Sequence, residues 1–196
     1  MKHKLLKTKN LAVVFGTFAP MHIGHVDLIT RAKRENDAAL VVVSGTNTEE
    51  DRGTRVVLHL KRRFRYVREV FHDDELVVVD KLDEEEIISE QNGLENWFKI
   101  LHELIKDNTD YQFEKITFYI GEEKDQKPLL SYFENVFNDE YLLGKSDTES
   151  SDSIIKKEVG IKIIDKSIIP VSSAEILKKP LAHWRYITKP FRRHFT

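Results

Sequence analysis

The chain has 196 residues, a net charge of −2 from 31 Lys and Arg against 33 Asp and Glu, and no cysteine. A hydrophobic share of 40 %, with only eight glycines and five prolines, excludes disordered and collagen-like chains. The missing cysteine excludes disulfides, thiolate-bound zinc, iron–sulfur clusters and a thiol nucleophile. No apolar run approaches the roughly 18–20 residues of a membrane helix. The apolar stretch after the basic N-terminus, Leu11–Phe15, is shorter than the about 7–15 residues of a signal-peptide core. A cytoplasmic protein is therefore expected.

In chain order, Leu11–Phe15 is β-branched and apolar and predicts a buried strand ending at Gly16. A loop from Gly16 to Gly24 follows, then a helix over His25–Asn36. Ala38–Val43 predicts a second strand, stopped by Ser44-Gly45-Thr46-Asn47. Val57, Leu60, Phe64, Val67 and Phe71 are spaced as one face of a helix. Leu76–Val79 predicts a third strand. Leu94–Lys106 predicts a helix with Trp97, Leu101, Leu104 and Ile105 on its apolar side. Lys115–Ile120 and Gly160–Ile164 predict two more strands. Strands alternating with helices imply an α/β fold with a central parallel sheet flanked by helices, and apolar strands imply cover on both faces. Gly144–Ser153 is of low complexity and predicts a surface loop. The organisation expected is a basic extension over residues 1–10, one domain over 11–177, and an aromatic, basic tail over 178–196 that packs on the domain.

Charge is segregated along the chain. Residues Arg52–Arg68 hold seven Lys and Arg and no acid, Asp73–Glu90 hold nine acids and one Lys, and Lys178–Arg193 hold six Lys and Arg and no acid. Solvated faces account for such runs, and so does a multiply charged anion between the two basic segments. Nucleic acid is disfavoured because the chain as a whole is not basic.

The chemistry is concentrated in Gly16-Thr-Phe-Ala-Pro-Met-His-Ile-Gly-His25, which follows a strand and opens a helix. Ligands of open α/β sheets bind there, outside the carboxyl ends of the strands. Gly16 allows a sharp turn and close approach of a ligand, and Pro20 stiffens the loop. Gly24 removes a side chain at the helix start. The helix N-terminus offers N–H groups to phosphate, and His22 and His25 add side-chain donors. A turn with two incidental histidines, matched at six positions each filled by chance at under ~10 %, has a frequency on the order of 10⁻⁶. A zinc site lacks a third nearby ligand.

Gly16–His25 resembles the G-x-F-x-P-x-H-x-G-H signature of the nucleotidyltransferase superfamily, whose members share a Rossmann-like fold and release pyrophosphate. Val171–Leu177 is similar to that superfamily's second signature, in which Ser172 and Ser173 cap a helix and meet phosphate. The family places Arg where Leu177 stands, so Lys178 or Lys179 becomes the expected cation. Lys61–Phe71, Asp74–Glu84, Gly121–Glu123 and Trp184–Arg193 look like the NadR-type nicotinamide-nucleotide adenylyltransferases. That resemblance implies adenylyl transfer from ATP to nicotinamide mononucleotide, with Mg²⁺ carried on the ATP phosphates and NAD as the product. It implies no membrane and no nucleic acid as partners. Family members often carry a kinase with a Walker loop and a DNA-binding helix-turn-helix. No G-x-x-x-x-G-K-[ST] occurs here and little chain precedes Leu11, so both are expected to be absent.

The resemblance further implies His22 and His25 as the catalytic pair. Gly16, Thr17, Phe18, Gly24, Gly121, Glu122, Ser172, Ser173 and Lys178 are implied at the nucleotide, and Arg63 and Trp97 at the second substrate. Phe18 and Trp97 also fit the core, Arg63 a solvated helix face, and Gly121 an ordinary turn. Because the attacking group is an ionised phosphate, no general base is required. Catalysis is then positioning and stabilisation of phosphate charge. Two other readings stay open. One is a weakened NAD- or ATP-sensing module, suggested by Leu177 and by Leu94 where the family often has Trp. The other is nucleotidyl transfer to a different small phosphate.

Overall fold

Five strands, β1 (Asn10–Gly16), β2 (Ala38–Gly45), β3 (Val77–Asp83), β4 (Lys115–Ile120) and β5 (Glu158–Ile163), form one sheet in a computed structural model that describes residues 4–47, 58–85, 87, 91–146, 154–166 and 168–196. Their order is β3-β2-β1-β4-β5, and every neighbouring pair is parallel. Among the described residues the α-helices are α1 (Ile23–Glu35), α2 (Leu60–Val70), α3 (Gly93–Asn108), α4 (Gln126–Ser146), α5 (Ser173–Lys178) and α6 (Lys189–Arg192). The result is the expected Rossmann-like α/β fold.

Successive strand residues face opposite sides of the sheet, and both sides are covered. Ala12 and Val14 of β1 and Ala39, Val41 and Val43 of β2 pack under α1, α2, α5 and α6. Leu11, Val13, Leu40 and Val42 pack under α3 and α4. The two central strands are apolar throughout because neither face meets water. The edge strands depart from that expectation. Asp80, Lys81 and Asp83 on β3, and Glu158 and Lys162 on β5, keep charge on the open edges, which discourages pairing with another chain.

Two other expectations need correction. The 21-residue helix α4 fell outside the predicted elements, although Leu129, Phe133 and Phe137 recur every four residues and form its buried stripe. That stripe closes an aromatic cluster, with Phe118 and Phe133 ring centroids 4.6 Å apart. The predicted loop at Gly144–Ser153 is helical through Ser146; the rest lies outside the described residues. On α2, Phe64 is only half-buried, and the fully buried residues are Leu60, Val67 and, unexpectedly, Arg63. Val57 lies outside the described residues. Among the described residues no helix is long and apolar enough to cross a membrane.

The tail is packed. Phe191 is fully buried, its ring 5.1 Å from that of Tyr66, and Ile187 pairs antiparallel with His22. This pairing brings the end of the chain against the loop after β1.

Candidate active site

The strand order turns at β1: β2 and β3 lie to one side, β4 and β5 to the other. Such a switch point opens a crevice at the carboxyl ends of the strands, because the connections on its two sides leave in opposite directions. The Gly16–His25 loop leaves β1 there, and Gly121 follows the last residue of the neighbouring strand β4. Phe18 adopts φ 48°, a left-handed turn that brings its buried ring back over Gly16. The ring meets the His25 imidazole edge-on at 5.0 Å.

The two histidines build the start of α1. His22 is the N-cap, and its Nδ1 accepts the Gly24 N–H at 3.1 Å. His25 Nδ1 accepts the His22 N–H at 3.2 Å, closing a capping box made of two imidazoles. The rings stack at 3.8 Å. A Cβ on Gly24 would lie 2.9 Å from the His22 ring, so only glycine fits beneath it. Because each Nδ1 accepts, each neutral ring carries its proton on Nε2. The loop thus holds two Nε2–H donors whose tautomer is set by the backbone. Burial pushes the pKa of His22 down to about 4. Burial and the neighbouring His22 push that of His25 down to about 3. Both rings are neutral at pH 7.

The sign of the pH effect follows. Unfolded histidine titrates near 6.5, so between about pH 6.5 and pH 3–4 the unfolded chain binds more protons than the folded one. Stability is expected to fall as pH drops through that window. Urea midpoints measured from pH 7 to pH 4 check this, and His22→Asn should flatten the dependence.

A cleft of about 520 Å³ opens beside the pair. His22, His25, Asp27 and Arg31 form one wall, and residues 164–166 and 168–173 form the other. A second cleft of about 410 Å³, more apolar, is lined by Phe15, Glu84, Leu94, Trp97, Asp125 and Leu129 among others. The two flank the end of β1: the first contains the loop that follows it, the second its residue Phe15. Trp97 is held in the second cleft by an Nε1–H bond to Glu84 at 2.9 Å and an edge-on contact with Phe15 at 5.1 Å.

A cytidylyltransferase-like family model matches residues 13–179 of the chain. The chain belongs to this family. Among curated relatives of this nucleotidyltransferase, the trifunctional NAD biosynthesis/regulator protein NadR of Salmonella typhimurium is 23 % identical over 94 % of the chain and 41 % of its own length. The phosphopantetheine adenylyltransferase of Kocuria rhizophila is 38 % identical over 37 % of the chain and 43 % of its own. Two solved NadR structures match more broadly. One, in complex with NAD and AMP-PNP, has a TM-score of 0.75 and 34 % identity, covering 98 % of this chain and 48 % of that one. The other, in complex with NR, has a TM-score of 0.76 and 35 % identity, covering 100 % and 47 %. The chain therefore has the sequence and fold of a NadR-type nucleotidyltransferase domain. It spans less than half the length of these NadR proteins.

In this nucleotidyltransferase the Gly16–His25 loop is gripped by its carbonyls. Arg63, expected at a substrate phosphate, is fully buried instead. Its guanidinium donates to the carbonyls of Thr17 (2.5 Å), Ser44 (2.7 Å) and Leu58 (2.7 Å). Ser173, expected on the nucleotide, donates to Pro20 O at 2.9 Å. Thr188 in the tail donates its N–H and its hydroxyl to Met21 O, at 3.3 and 3.2 Å. Three elements distant in sequence thus fix Thr17, Pro20 and Met21. Thr17 offers its carbonyl to Arg63 and is not among the residues lining the first cleft.

The remaining predicted residues divide. Ser172 lines the first cleft and caps α5, but its N–H and hydroxyl are both engaged by Glu175, at 2.9 and 2.8 Å. Gly24 lines the same cleft, whereas Gly16, which ends β1, and Gly121, which follows the neighbouring strand β4, are not among its lining residues. Lys178 does not line it: α5 meets the cleft at its first turn, and Lys178 is exposed at its last. Glu122 is exposed and paired with Lys124 at 2.8 Å. Two lining cations, Arg31 and Lys166, were outside the predicted set. Arg31 could have been found from its α1 face, one turn after Asp27, with which it pairs at 2.9 Å. Lys166 carries no local signal.

Proposed function

We propose that the protein transfers the adenylyl group of ATP to nicotinamide mononucleotide, giving NAD and pyrophosphate. The observation that carries this is the His22–His25 pair, two neutral rings with their Nδ1 atoms tied to the backbone and their Nε2–H donors set beside a cleft of nucleotide size. The NadR structures bound to NAD, AMP-PNP and NR support the choice of substrates. Adenosine triphosphate takes the first cleft and the mononucleotide the second. A mononucleotide phosphate oxygen attacks the α-phosphorus, the new P–O bond forms, and the bond to the β-phosphate oxygen breaks in line. The nucleophile is already ionised, so no proton is removed. The histidine donors stabilise the charge that grows on the transferred phosphoryl oxygens and the leaving pyrophosphate. Mg²⁺ enters with the triphosphate as part of the substrate.

Incubation with MgATP and nicotinamide mononucleotide should yield NAD and pyrophosphate in equal amounts. Pantetheine phosphate as acceptor serves as the comparison arm and should give no product. A folded, nucleotide-binding protein that makes no NAD would overturn this reading in favour of a sensor.

The second cleft also sets a preference. Glu84 and Asp125 line it, and its described lining residues include no Lys, Arg or His. A cationic pyridinium amide suits that surface, and the extra carboxylate of the deamidated substrate does not. The amidated mononucleotide is expected to be favoured in kcat/KM by at least ~10-fold, the equivalent of about 1.4 kcal/mol. Competition of the two substrates, read by chromatography, checks the ratio.

A further inference from the structure

We infer that Lys166 is a catalytic residue, the cation that takes the triphosphate charge; this rests on the adenylyl-transfer reading above for its role in turnover, but not for its role in binding. The inference starts from the charges lining the first cleft. Among its described lining residues the carboxylates are Asp27, Asp165 and Glu175, and the full cations are Arg31 and Lys166. Arg31 is in an ion pair with Asp27. Glu175 is tied into the cap of α5 by two hydrogen bonds from Ser172, which hold its carboxyl below the usual carboxylate range. His22 and His25 are neutral. Lys166 is therefore the one lining cation that is in no ion pair among the described residues. A triphosphate entering this cleft meets no other ready positive charge on that wall.

The sheet register puts the ammonium in the right place. Val14 of β1 is opposite Tyr119 of β4, so the carboxyl ends of the two strands lie side by side, with Gly121 following β4. Ile120 is opposite Ile163, and Ile164 N–H bonds to Ile120 O at 2.8 Å, which carries β5 to the same level. Lys166 follows two residues later. Its side chain folds back over the end of β4, with Nζ 3.6 Å from where a Cβ on Gly121 would stand. Lys166 is thus fixed one strand away from the catalytic loop and lines the same cleft as both histidines. A flexible ammonium there can follow phosphate oxygens as charge shifts from the α-phosphate to the leaving pyrophosphate.

The test compares wild type with Lys166→Met and Lys166→Arg, measuring calorimetric binding of Mg-AMP-PNP and of adenosine, and NAD formation. Lys166→Met should weaken Mg-AMP-PNP binding by about 10-fold or more and leave adenosine within about 2-fold, as expected for loss of a charge-assisted phosphate contact. It should lower kcat/KM for NAD formation by about 100-fold. Lys166→Arg should restore most of both. A structural role would move adenosine and triphosphate together, and that result would overturn the inference. So would a Lys166→Met protein that matches wild type. Selective loss of Mg-AMP-PNP affinity in a protein whose wild type makes no NAD would keep Lys166 as the phosphate cation and overturn adenylyl transfer. Wild-type protein that binds neither ligand would overturn both.

Discussion

Replacement of His25 with alanine is expected to slow the proposed adenylyl transfer by about 10²–10³-fold, the usual cost of removing one preorganised donor to developing charge. The donor is preorganised because the His22 N–H occupies Nδ1 and leaves the proton on Nε2. Its low pKa keeps the ring neutral at pH 7, so the loop presents a dipole and not a charge before substrate arrives. The transition state then gains more than the ground state, and the loss should appear in kcat more than in the KM for ATP. Alanine also removes half of the capping box, which costs about 1 kcal/mol of helix stability. His25→Asn separates the two effects. Its amide oxygen can still accept from His22, so the fold should recover while the rate stays low. A rate within fivefold of wild type for His25→Ala, in single-turnover experiments, would remove the ring from the chemistry.

Replacement of Arg63 with methionine should be the most damaging change to stability. Methionine fills similar space but leaves the carbonyls of Thr17, Ser44 and Leu58 without their donor. Each orphaned buried acceptor costs about 1–3 kcal/mol, and the sum, discounted for relaxation, is about 4 kcal/mol. For a chain of this size that lowers Tm by about 10 °C, at roughly 2–4 °C per kcal/mol. Gly45→Ala should act in the same direction from the other side. Gly45 sits at φ 137°, disfavoured for any L side chain, and an added Cβ would collide with the Arg63 guanidinium. Thermal melting of both variants checks this. A substrate-phosphate role for Arg63 would instead raise KM at unchanged Tm, and Arg63→Met melting within 2 °C of wild type would favour it.

These two residues show what the sequence made legible. His25 stood out because its partners are local: the capping box joins residues three apart, and the loop is read in one stretch of ten. Ser172 was legible as a cap for the same reason, with Glu175 three residues on. Arg63 was misread because helical spacing records which side a residue is on, not what meets it there. Its partners come from the loop after β1, from β2 and from the approach to α2. Ser173 was assigned to phosphate because a hydroxyl at a helix start commonly binds one, whereas Pro20 O from 153 residues away claims it. Lys166 had no motif at all, since its position depends on the register of β4 with β5.

Strand composition, alternation with helices and the Gly16–His25 loop were enough to determine a parallel α/β sheet and a histidine pair at a helix start beside a cleft. Those features rest on hydrophobic periodicity and on contacts between near neighbours in the chain. The tertiary structure decided which cations reach the cleft and which are spent on backbone carbonyls. It also joined the tail to the Gly16–His25 loop and placed Trp97 with Glu84 in a second cleft. A side chain's charge is written in the sequence, but its burial and its partners depend on which strand ends the sheet brings together.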